Sequence, residues 1–81
     1  MNAVAITHRA ECGFNRFHAR YRIREVLDSR NLTMADVARR LGVSSETVSA
    51  TVRGRIHSKK VLDELRSLGV PERYLFDPNR Q

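Results

Sequence analysis

The stretch SSETVSATVRGRIHSKK, residues 44–60, holds most of the side chains in this chain that are spaced for polar chemistry. Ser45, Glu46, Ser49 and Ala50 fall on one arc of a short helix, away from Val48 and Val52, which sit four apart and face inward. Two hydroxyls, a carboxylate and a methyl make a small, polar surface that another molecule's backbone or edge can approach closely. Arg53, Arg55, His57, Ser58, Lys59 and Lys60 follow at once, and cations with hydroxyls are suited to anionic oxygens. The serines have no His–Asp partner suggested by spacing, so acyl-transfer chemistry is not expected and the chain is read as a non-enzyme. His8, Cys12 and His18 are too few, and lack a paired C-x-x-C, to predict a metal site; no cofactor is expected.

These side chains need helices to carry them. Residues 1–15 show no clear period, and Gly13 and Asn15 argue against a helix, so this stretch is read as a flexible arm. A helical pattern starts at Phe17 and places Phe17, Tyr21, Ile23, Val26 and Leu27 on one broad side, ending near residues 29–31. Leu32 is expected to tuck into the core. Thr33 is a good N-cap, and Asp36 three residues on completes a pattern like a capping box. Val37, Ala38 and Leu41 form the inner face of that helix, with Arg39 and Arg40 outward, and Gly42 stops it by accepting a left-handed backbone. Val43 re-enters the core. Ser44 caps the next helix, Glu46 favours its first turn, and Gly54 ends it. Ser58 caps a further helix bearing Val61, Leu62, Leu65 and Leu68, which stops at Gly69. A last turn, PERYLF, returns Tyr74, Leu75 or Phe76 to the core, or exposes an apolar edge for a second subunit. No period-two pattern predicts a strand. The expected fold is all-α, four to five short helices around a central helix-turn-helix, with an arm at 1–15, one domain at 16–77 and a tail at 78–81.

The segment TMADVARRLGVSSETVSATVRG, residues 33–54, resembles the helix-turn-helix of the lambda-repressor/Cro-like superfamily. Its core G-V-S-x-x-T-V-S, from Gly42 to Ser49, is also similar to the reading unit of the lac repressor family, and VLDELRSLGVPERYLF is similar to the closing helices of the lambda/Cro-like group. The resemblance covers about residues 20–76 and implies double-stranded DNA as partner. It places Ser45, Glu46 and Ala50 where the family reads bases, with Ser49 between them. It places Thr33, Met34 and Ser44, at two helix starts, and Arg53, Arg55, His57, Ser58, Lys59 and Lys60 along the sugar-phosphate chain. The chemistry agrees: a major groove admits one helix, Glu46 can accept from cytosine N4, the serines donate or accept, and Ala50 can touch a thymine methyl. Family members often carry Gln or Arg at these places, so Glu46 has a second reading as a helix-start acid, with more left to DNA shape.

Charge and size bound the rest. Eighty-one residues make one small domain with no room for a second fold. Fifteen Lys+Arg against nine Asp+Glu give +6, and residues 16–60 hold eleven of the basic side chains but four of the acidic ones. The positive charge thus surrounds the motif and favours a polyanion. Arg16, His18, Arg20, Arg22 and Arg24 read either as a solvated face or as groups touching DNA. A single cysteine suits a reducing compartment, MNAVAITHR lacks the plan of a secretory signal, and no apolar run is long enough to span a membrane, so a cytoplasmic protein is expected. The resemblance implies a compact phage- or prophage-type repressor that occupies its operator as a homodimer, without a small-molecule effector. An architectural or recombination-directionality DNA-binding protein, or an antitoxin-like or adaptor interaction module on the same fold, are the alternatives.

Overall fold

The computed structural model describes residues 7–80 and is all-helical over them. Six helices follow in order: α1 His8–His18, α2 Arg20–Ser29, α3 Met34–Leu41, α4 Ser45–Val52, α5 Lys59–Ser67 and α6 Glu72–Leu75. α2 to α6 are the expected set. α1 corrects the reading of residues 1–15 as an arm, of which residues 1–6 lie outside the described ones. The helix begins at Thr7, whose hydroxyl accepts from the Ala10 amide at 3.0 Å, and runs through Gly13 and Asn15 to His18. Gly13 is not a breaker here but a point of close approach. A Cβ on it would lie 2.2 Å from the Gly54 carbonyl oxygen, and one on Gly54 would lie 1.9 Å from the Gly13 oxygen. Only two glycines let α1 cross the end of α4 this closely.

The core is one cluster: Ile23 and Leu27 from α2, Val37 and Ala38 from α3, Val48 and Val52 from α4, Val61, Leu62 and Leu65 from α5, then Leu68, Val70 and Leu75. Leu32, Leu41, Val43 and Tyr74 pack against it while half-buried. Phe17 and Tyr21 depart from expectation. They are 37% and 61% exposed, because Arg16 rather than Phe17 turns inward and α2 presents only Ile23 and Leu27 fully to the core.

The ends of α3 and α4 follow the sequence closely. The Thr33 hydroxyl accepts from the Asp36 amide at 3.1 Å and the Asp36 carboxylate accepts from the Thr33 amide at 2.8 Å, closing a capping box. These bonds hold the Asp36 carboxyl below its ordinary range. Gly42 takes φ 71°, turning the chain from α3 into the Ser44 cap of α4. α3 and α4 thereby form a rigid pair on the shared core.

Candidate nucleic-acid interface

The outer side of α4 starts at Ser44, whose hydroxyl accepts from the Thr47 amide at 3.1 Å. Ser45 and Glu46 are exposed and Ser49 is half-buried on the same side. Ala50 is not on the open arc: it is only 8% exposed. After α4 the chain folds back, and the Arg55 and Ile56 amides reach the Ala50 carbonyl at 2.9 and 3.4 Å, so the turn crowds this residue. The Glu46 carboxylate accepts from the Arg55 guanidinium at 2.8 Å, with both side chains largely exposed. The acid on this face is therefore partly neutralised by the loop that follows it.

The loop cations divide. Arg53 and Lys60 are exposed and have no ion-pair partner among the described residues. Arg55 is engaged with Glu46, and the Lys59 ammonium lies 2.7 Å from Asp63, whose carboxyl it holds below the ordinary range. Such exposed pairs are weak and can exchange partners. The Ser58 hydroxyl is committed to capping α5, accepting from the Val61 amide at 3.3 Å.

His57 departs from the sequence expectation. Its Nδ1 lies 2.6 Å from Nη2 of Arg16, so it must accept there, and its ring also bonds to the Arg9 backbone. Burial, then the Arg16 and Arg9 charges, push its pKa below the ordinary value. A neutral imidazole turned inward is not placed to meet a phosphate.

Arg16 is the residue that pattern reading missed. It is wholly buried, and its five N–H groups find five acceptors. Nε donates to the Thr51 carbonyl at 2.6 Å, Nη1 to the Leu75 and Phe76 carbonyls at 2.8 and 3.2 Å, and Nη2 to the Ile56 carbonyl at 2.9 Å as well as to His57. Three of these carbonyls close α4 and α6, where a cation is favoured by the helix dipole. Burial pulls the guanidinium's pKa down and the charge of buried Asp77 opposes that. Arg16 thus ties α1 to the end of α4, to the RIHSKK loop and to the chain's last helix. No sequence period signals it; only the run of free carbonyls in three dimensions does.

A cleft of about 380 Å³ opens beside this face, between α2 and the start of α3. Arg20, Arg24, Thr33, Ser49 and Arg53 line it, with Asp28 the one acid. It joins the N-cap of α3 to the outer side of α4, and gives Arg20 and Arg24 a place beside the residues singled out from the sequence. The arrangement offers hydroxyls, two helix N-termini and several guanidiniums on one side of the molecule.

Comparison with known proteins agrees. A helix-turn-helix family model matches residues 23–75, well over half of the chain and all of α3 to α5. Searches of curated proteins and of solved structures found no match. On that match, the chain belongs to the lambda-repressor/Cro-like helix-turn-helix family of DNA-binding regulators.

Proposed function

We propose that this protein is a sequence-specific repressor of compact phage type that occupies a double-stranded operator as a dimer. The observation that carries the reading is the outer face of α4. Half-buried Ser49 lines one cleft with Thr33 and Arg53, exposed Ser45 and Glu46 lie on the same helix, and exposed Lys60 follows at the start of α5. α4 enters the major groove, and Ser45, Glu46 and Ser49 read base edges. Ala50 leaves the reading set because the turn crowds it, and His57 leaves the phosphate set because its ring faces Arg16. Phosphates meet the amino ends of α3 and α4, at Thr33, Met34 and Ser44, and the side chains of Arg53, Lys60, Arg20 and Arg24. Arg55 and Lys59 contribute once their exposed pairs with Glu46 and Asp63 open, while Ser58 shapes the loop by capping α5.

Repression follows by exclusion: a bound dimer covers the duplex and blocks polymerase. Selection from a random duplex pool at physiological salt tests the reading. A two-fold symmetric site is expected, and Ser45→Ala should change base preference by about 1–3 kcal/mol at its position if the contact is direct. Bound duplexes with no shared sequence would instead favour an architectural role.

A further inference from the structure

We infer that the Glu46–Arg55 ion pair, kept closed, reads one C·G base pair as a unit and sets the sequence preference of α4. The inference rests on the DNA reading above, with α4 in the major groove, and names the base pair that the groove must present. Arg55 comes from outside the helix. Its amide donates to the Ala50 carbonyl at 2.9 Å, in the turn that covers Ala50. Ala50 and Glu46 are four residues apart and share a side of α4. From there the Arg55 side chain reaches back to the first turn of the helix, where its Nη2 lies 2.8 Å from Glu46 Oε2. The turn thus buries one candidate reader and supplies a guanidinium in its stead.

Both side chains remain available to a ligand. Arg55 is 59% and Glu46 74% exposed, and beyond this pair neither side chain bonds to another described residue. Base edges are read from the first turns of a recognition helix, where Glu46 stands. A carboxylate that reaches a base edge there brings the guanidinium with it, because the two are in contact. Glu46 Oε1 is left to accept, and Nε and Nη1 of Arg55 are left to donate. A lone carboxylate in the groove would be repelled by the phosphates; paired, it adds no net charge.

The groove edge of a C·G pair matches this order of acceptor and donors. Cytosine N4 keeps one free N–H, and guanine O6 and N7 accept beside it. Within the base pair N4 donates to O6 across about 2.9 Å. That separation is close to the 2.8 Å between the Glu46 carboxylate and the Arg55 guanidinium. Glu46 accepts from N4 while Arg55 forks onto O6 and N7. An A·T pair fails on both sides: adenine N7 sets an acceptor against the carboxylate, and the thymine methyl faces the second guanidinium donor. The reversed G·C pair sets O6 against the carboxylate and the N4 donor against the guanidinium.

Selection from a random duplex pool at physiological salt, run on the wild type, Arg55→Ala and Glu46→Ala, tests the inference. The wild type should enrich C·G at one fixed position of its site, and replacing that pair by A·T should weaken binding by about 10-fold or more. In Arg55→Ala the ratio should fall to about 3-fold or less, and Arg55→Lys should not restore it, since an ammonium lacks the fork. Glu46→Ala should lose the preference too, because a guanidinium without its tether is free to move to a phosphate. The double variant Glu46→Ala/Arg55→Ala should discriminate no worse than either single one, as for two groups acting together. A phosphate contact alone predicts otherwise: Arg55→Ala would weaken both duplexes alike and leave the preferred site unchanged. That result, or an enriched site without C·G, would overturn the inference and leave α4 reading through Ser45 and Ser49. A wild type that enriches no shared sequence would sink the sequence-specific reading itself, and the inference with it.

Discussion

Arg16 is the residue on which most of this molecule converges. Burying a guanidinium costs several kcal/mol unless each donor is satisfied, and here five donors meet five acceptors drawn from three segments. Arg16→Met would leave those five acceptors without their donor and remove one of the two cations acting on Asp77, the other being Arg66. A loss of roughly 3–5 kcal/mol is expected in urea unfolding, and Arg16→Lys should recover little of it, since an ammonium supplies three donors on a single point. A loss below about 1 kcal/mol would show that the hub is dispensable.

His57 adds a pH dependence. Its folded pKa is lowered from 6.5, so the unfolded chain binds the proton more readily. Stability from this group is complete above pH 6.5 and falls as pH drops through the folded value, because burial first, and then the Arg16 and Arg9 charges, oppose the second proton on the ring. Asp36, Asp63 and Glu72 also have lowered pKa values, from 3.8, 3.8 and 4.5, and weaken the fold only at more acid pH. Unfolding midpoints measured between pH 7 and about 5 should therefore decline, and His57→Asn, which keeps an acceptor near the Nδ1 position, should flatten that decline. An equal slope in the variant would contradict the account. Neither residue's role was legible in the sequence. Arg16 lies among other basic residues, and nothing in one dimension distinguishes the arginine that turns inward.

At the scale of elements, what is local was legible and what is tertiary was not. Thr33 with Asp36, Gly42, Ser44 and Ser58 act within three or four residues of themselves, and each does what its type and position predict. α1 was hidden because Gly13 is poor in a helix considered alone, yet the contact it makes with Gly54 has no room for a side chain. Ala50 was misplaced for a related reason: its neighbours on α4 are exposed, but the returning turn covers it. These opposing tendencies give a sharp test. Alanine is the better helix former by about 1 kcal/mol, but Gly13→Ala would drive a Cβ to 2.2 Å from the Gly54 oxygen. The clash should win, with a net destabilisation of roughly 1–3 kcal/mol by thermal or urea unfolding. A stabilised variant would mean that α1 does not cross α4 as described.

The whole molecule is a small core that holds one face rigid and charged. α2 to α5 build the core, and α1 straps the carboxyl end of α4 through Gly13 and Arg16. Arg66 secures the other end, with Nη1 2.6 Å from Asp63, Nε 2.6 Å from Glu72 and Nη2 3.1 Å from Asp77. Arg66 thus gathers Asp63, Glu72 and Asp77 at that end, while Arg20, Arg24 and Arg53 line the cleft beside α3 and α4, and Lys60 stands exposed at the start of α5, with no carboxylate partner among the described residues. That asymmetry is the physical basis for docking to a polyanion. The most direct test is the affinity for duplex DNA as a function of salt, for the wild type and for Arg53→Ala/Lys60→Ala. The logarithm of the binding constant should fall linearly with the logarithm of salt concentration, with a slope of about −0.9 per phosphate neutralised, and the double variant should flatten that slope by about 2. An affinity that does not change with salt, or the same slope in both proteins, would contradict the assignment of this face to DNA.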